Sequence, residues 1–248
     1  MSSSRTIELL QQYRKSFHPV VPFEAGRDKL YPFDFSESNT ELDAEQIADT
    51  ERFASYINKT LEAHGCRYGF GGYGEHRTLY ARSKHFDAHS GAGGEAGLAE
   101  PEPRRLHLGI DIWGPAGTKV YSPLDGIIHS YAFNNNDSDY GATLIVTYNL
   151  DGDSFHILYG HLSLNSLKNL HEGQRVYKGE VIAEFGMRFE NGNWPPHLHF
   201  QLIRDLQGWK GDYPGVCQFS GKAGWLDNCP DPDLILQLGG SVLAAEHL

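Results

Sequence analysis

The 248-residue chain has no run of about eighteen apolar residues, so no stretch reads as a membrane-spanning helix. Its first seventeen residues also lack the apolar core of a secretory signal, which predicts a cytoplasmic protein as written, or a periplasmic or extracellular one if a leader has been removed. Positive charge is scarce: 21 Lys and Arg stand against 32 Asp and Glu, for a formal net charge of -11. That excess of acid gives no electrostatic footprint for nucleic acid, an anionic membrane or an anionic wall polymer. Cysteine is rare as well. The odd number and wide spacing of Cys66, Cys217 and Cys229 fit reduced structural thiols better than a disulfide framework or a zinc knuckle. Residues 69–74 are glycine-rich, but no Lys-Ser/Thr follows them and no dinucleotide-binding pattern fits, so a tight turn is expected there rather than a phosphate cradle. Just beyond, Glu75 and Arg77 could pair with each other or reach a cleft.

Histidine, by contrast, is plentiful, with 13 in the chain. Most of these are expected to be ordinary core or surface rings. Four positions stand apart. In Leu-His-Leu-Gly-Ile-Asp at 106–111, extended chain puts Leu108, Ile110 and Ile112 on one face and His107, Gly109 and Asp111 on the other. Residues four apart in a strand lie roughly 13 Å apart. A shared metal therefore requires a bend, which Gly109 permits. In His-Leu-His at 197–199, His197, His199 and Gln201 fall on one face, opposite Leu198, Phe200 and Leu202. His161 ends a strand-like run, Leu-Tyr-Gly-His. Two imidazoles and a carboxylate are the ligand inventory of a catalytic zinc, which keeps a fourth position for water. Spacing alone does not choose between His197 and His199 as the ligand.

At these residues the chain resembles the lysostaphin and LytM type of zinc endopeptidase. The resemblance rests on His-x-x-x-Asp at His107 and Asp111, a lone histidine after Tyr-Gly at His161, and His-x-His at His197 and His199, over roughly residues 105–205. Carried over position by position, it implies one zinc per chain on His107, Asp111 and His199. It implies catalytic roles for His161 and His197, which stay off the metal and handle the attacking water and the tetrahedral intermediate. The implied activity is hydrolysis of an amide bond in a peptidoglycan-type or glycine-rich peptide. The alternatives are a zinc amidohydrolase acting on a small cytosolic amide and a non-catalytic binding domain. Members often carry a tyrosine shortly before the first ligand, and none lies between Arg82 and His107.

The expected fold is mainly β with N-terminal helices, an antiparallel sheet or barrel-like sandwich of the duplicated hybrid motif type. Residues 172–186 resemble the hammerhead of biotinyl and lipoyl carrier domains, and residues 115–126 echo them weakly, which is the pseudo-repeat behind that expectation. Four segments are expected: an N-terminal helical extension over 1–86, a flexible Gly/Ala/Pro-rich loop over 87–105, the peptidase-like domain over 106–206 and a C-terminal extension over 207–248. Within the first, residues 6–17 read as a short amphipathic helix stopped by Pro19 and Pro22. A second helix runs from a capping box at Asp43 and Gln46 to Gly65. Trp194 could line a groove or simply pack. A short helix is expected after Asp233.

Overall fold

The computed structural model describes residues 3–24, 26–77, 80 and 102–238. The expected loop over 87–105 lies outside these up to residue 101, as does the C-terminal end from 239. In chain order the elements are α1 (Ser3–Gln12), β1 (Leu30–Phe33), α2 (Ala44–Ala48), α3 (Thr50–His64), β2 (Tyr68–Gly71), β3 (Leu106–His107), β4 (Ile110–Trp113), β5 (Lys119–Tyr121), β6 (Gly126–Asn134), β7 (Gly141–Leu150), β8 (Asp153–Leu162), β9 (Arg175–Val176), β10 (Val181–Glu184), β11 (His197–Ile203), β12 (Val216–Cys217), α4 (Lys222–Asn228) and α5 (Asp233–Leu236).

The protein is mainly β with helices at the N-terminus. Eight strands form one open sheet in the order β1-β2-β4-β11-β8-β7-β6-β9, antiparallel except for the parallel β1 and β2 pair. The two echoing segments pair with each other: β10 lies antiparallel to β5, with Glu184 opposite Lys119 and the two side chains joined in an ion pair.

Alternation along the strands sorts the side chains onto two faces. Ile110, Ile112, Val146, Ile157, Leu198, Phe200 and Leu202 share one core with Leu10 of α1 and Ile235 of α5. The opposite parity, which includes Asp111, His199 and Gln201, faces a second layer. There Ile145, Leu158, Ile203, Tyr213 and Cys229 form one cluster, joined by Leu108, which the bend at Gly109 takes off the face of Ile110 and Ile112 expected for it, and Phe35, Phe53, Trp113 and Trp194 form another. A strand covered on both faces carries buried polar groups only where they find partners.

Three local features depart from expectation. The helix from Asp43 is two helices. Asp43 and Gln46 close the capping box of α2, but Asp49 then accepts from the backbone N–H groups of Glu51 and Arg52 and caps α3 afresh. A second cap competes locally with continuation of the first helix. The helix does end at Gly65, in the left-handed conformation with φ 61°. The stretch read as a turn begins as strand β2, and the turn follows at Gly72–Gly74. Residues 3–80 thus contribute two strands of the main sheet as well as helices. The three cysteines are free thiols, two of them buried.

Candidate metal centre

The bend expected at Gly109 separates β3 from β4, and glycine is required there by close contact rather than by a left-handed φ. A Cβ built on Gly109 would lie 2.6 Å from Cε1 of the His199 ring. Opposite, β11 pairs with β4 so that His199 faces Asp111 and His197 faces Trp113. The chain thereby gathers His107, Asp111 and His199, buried at 0%, 3% and 3% exposure, with their ligand atoms within 4.8 Å of one another.

The hydrogen bonds around this trio decide what sits at its centre. His107 Nδ1 meets the Gly72 carbonyl at 3.0 Å. A carbonyl only accepts, so Nδ1 carries the hydrogen and Nε2 offers a lone pair. The Gln201 amide nitrogen donates to the Pro214 carbonyl at 3.1 Å, which turns its oxygen toward His199 Nε2 at 2.8 Å. His199 therefore donates from Nε2, and Nδ1 faces inward. Arg77 donates to Oδ2 of Asp111, leaving Oδ1 inward. His107 Nε2, His199 Nδ1 and Asp111 Oδ1 then lie 3.0, 3.1 and 3.3 Å apart. Three acceptors this close repel one another unless a cation lies among them. Two imidazole nitrogens and one carboxylate oxygen suit a divalent metal of the zinc type, and these three donors make up one fewer than its usual four ligands.

Electrostatics agree with that donor set. Burial pushes His107 down to about 4, with the Arg77 charge adding to the effect. Burial alone would raise the Asp111 carboxyl, but the Arg77 guanidinium that donates to it holds it well below the usual range. The metal-facing groups are thus a neutral ring and an ionised carboxylate.

His161 and His197 lie beside the trio. Their rings stack at 4.0 Å, and Trp113 stacks on the other face of His197 at 4.0 Å and 17°. Burial lowers both, His197 to about 4 and His161 well below its ordinary value, the latter also through the neighbouring His197. Each ring is oriented from Nδ1 by a backbone carbonyl: Asn191 for His161 at 2.8 Å and Pro195 for His197 at 2.8 Å. Each therefore keeps Nε2 as an acceptor. His161 has φ 61°, a left-handed backbone unusual for a residue with a side chain. It is held there by hydrogen bonds from its N–H to Tyr140 and from Gly186 to its carbonyl.

All five positions singled out in the sequence come together here. Gly72, Trp113, Tyr80 and Tyr140 join them without having been assigned a place, together with Gln201, expected only to share the histidine face, and Arg77, left open between a pair and a cleft. Tyr80 and Tyr140 bear on the tyrosine absent between Arg82 and His107: the Tyr80 ring lies 6.2 Å from that of His107, and the Tyr140 hydroxyl lies 3.5 Å from His199 Nε2. Glu75 and Arg77 do both things left open, since Arg77 bonds Glu75 at 2.6 Å as well as Asp111. Trp194 is buried at 3% exposure, edge-on to His161 and His197.

A buried cluster of imidazoles and one carboxylate makes this a candidate metal centre, and residues 105–211 match Peptidase family M23. The segment is similar to the DD-carboxypeptidase/endopeptidase Mpg of Neisseria meningitidis, 35% identical over 97 residues that cover 39% of this chain and 20% of that protein. A longer stretch is similar to the peptidoglycan DD-endopeptidase ShyA of Vibrio cholerae, 29% identical over 160 residues, 58% of this chain and 34% of that one. Among solved structures, the catalytic domain of lysostaphin from Staphylococcus simulans is 24% identical over 49% of this chain and 80% of that chain, with a TM-score of 0.35. The chain spans between a fifth and about a third of the length of the two curated relatives.

Proposed function

We propose that the chain is a zinc-dependent endopeptidase that hydrolyses an amide bond in a peptidoglycan-type peptide. The observation that carries this reading is the convergence of three hydrogen-free acceptor atoms from His107, Asp111 and His199 beside two further neutral imidazoles. The peptidoglycan substrate is supported by the names of the relatives alone.

In this proposal His107 Nε2, Asp111 Oδ1 and His199 Nδ1 hold the metal. When bound, zinc supplies a Lewis acid that makes water acidic near neutral pH and polarises a carbonyl. The chain's own residues do the rest. His161 and His197 are kept neutral by burial, so Nε2 of either ring can accept a proton as water attacks. The resulting imidazolium can hydrogen-bond the oxygen that develops negative charge or return the proton to the leaving amine. Trp113 and the Pro195 carbonyl fix the plane of His197, and the Asn191 carbonyl fixes that of His161, so neither ring has to reorient during the reaction.

The test is a comparison of substrates. Purified protein loaded with zinc is incubated with peptidoglycan fragments, glycine-rich peptides and small metabolite-like amides, with and without a chelator. Chelator-sensitive release of new amino termini from peptidoglycan fragments is expected, with His161→Ala and His197→Ala each slower by about 100-fold or more. Cleavage restricted to the small amides would replace the substrate, and wild-type rates in both variants would remove the assigned roles.

A further inference from the structure

The family segment begins at residue 105, yet two of the three candidate ligands take their outer hydrogen bonds from before it. The segment that supplies them is built against the site. β2 pairs with β4 so that Gly71 lies opposite Asp111. Residues 74–77 then run along 105–107, with Gly74 N–H on the His107 carbonyl at 2.9 Å, His107 N–H on the Glu75 carbonyl at 3.0 Å and Arg77 N–H on the Arg105 carbonyl at 2.9 Å. A bridge between Ser36 and Arg77 joins these bonds in fixing the backbone position of Arg77.

Its guanidinium is fixed too. Nε donates to Glu75 Oε2 at 2.6 Å, while Glu75 Oε1 accepts from Phe35 N–H at 2.9 Å. Nη1 donates to Asp111 Oδ2 and reaches the Tyr80 hydroxyl at 3.3 Å. The residue is 1% exposed. A buried guanidinium is costly to desolvate, and pairing it with two carboxylates offsets that cost only if its geometry is tightly held. With Oδ2 turned to Arg77, Oδ1 is the oxygen that faces the two imidazole nitrogens.

We propose that Arg77 is a positioning residue of the metal centre: by occupying Oδ2 of Asp111 it leaves Oδ1 as the single ligand atom of that carboxylate and makes the segment before residue 80 part of the working site. The inference rests on the metal centre proposed above. Planarity matters, because the fork must serve Glu75 and Asp111 together, which a lysine ammonium on a flexible stem does poorly.

The full chain serves for the test, as wild type, Arg77→Met and Arg77→Lys. Zinc affinity is read by competition with a chromogenic chelator, coordination by the visible spectrum of the cobalt-substituted protein, and folding by Tm. Arg77→Met is expected to bind zinc 10- to 100-fold more weakly and to change the cobalt spectrum as the freed oxygen joins the coordination, with Arg77→Lys between it and wild type. Folded Arg77→Met with wild-type affinity and an unchanged spectrum overturns the proposal. If Arg77→Met does not fold, Arg77→Lys with wild-type affinity and spectrum overturns it. A wild-type chain that takes up no zinc overturns the metal centre itself, whereas zinc uptake with indifferent variants overturns only the role of Arg77.

Discussion

Two pairs of histidine rings meet at nearly the same angle. His107 and His199 lie 4.9 Å apart at 72°, and His129 and His156 lie 5.5 Å apart at 70°. Their outer partners differ. The first pair is held by Gly72 and Gln201 oxygens that only accept, so the inward nitrogens are left bare. The second pair rests on hydroxyls, His129 Nδ1 on Ser130 at 2.8 Å and His156 Nδ1 on Thr147 at 2.9 Å, and a hydroxyl gives or takes a hydrogen equally well. Among the described residues, the group of three that could hold a metal includes the first pair and Asp111, and excludes the second. Ring proximity does not make a metal site. Acceptor-only partners that fix the tautomers, and a carboxylate to complete the set, do.

The largest expected difference follows directly. Asp111→Ala is expected to reduce metal content after dialysis from near one zinc per chain to near none, while His156→Ala keeps it, as read by elemental analysis. Loss in both, or in neither, would erase the contrast.

Acid sharpens the comparison next, because here one ring of each pair, His107 and His156, behaves alike. Burial lowers His107, His197 and His156 to about 4 from an ordinary 6.5. The unfolded rings take up protons near 6.5 and the folded ones only near 4, so the stability they confer is complete above 6.5 and is lost as pH falls through 4. The Tm of the metal-free protein should drop across that window, and His156→Gln should flatten part of the drop without touching the site. A constant Tm from pH 7 to 4 would contradict the neutral rings.

The smallest effect concerns backbone. His161 and His156 both lie in β8, but His161 sits at φ 61° near its end, whereas His156 is not among the positive-φ residues. Glycine relieves a left-handed position and weakens a strand. His161→Gly is thus expected to be more stable than His161→Ala by about 1 kcal/mol, and His156→Gly less stable than His156→Ala by about 0.5–1 kcal/mol. Chemical denaturation of the four variants measures both signs.

Much of this arrangement is legible in the sequence because it is local. His107 with Asp111, and His197 with His199, lie within five residues of each other, and strand alternation sends each pair to one face. Gly109 signals its bend. What escapes is long-range or ambiguous. Nothing near Arg77 or Gly72 says that they pair with residues 34 and 35 positions away. Gln201 shares a face with the histidines, but its part depends on Pro214, thirteen residues on. The break between α2 and α3 is signalled by Asp49, whose capping power is masked by a hydrophobic period that continues through it. β2 is hidden by glycines that lower strand propensity; Gly69 is required because a Cβ there would meet the Phe33 ring at 2.1 Å.

Gly109 also works as a genetic sentinel. Every single-base change that alters a glycine codon either installs a Cβ or stops translation, and here a Cβ falls within 2.7 Å of two atoms of the His199 ring. No missense mutation at that codon is silent for the pocket. Any side chain at this position is therefore expected to displace the ring of the last candidate ligand.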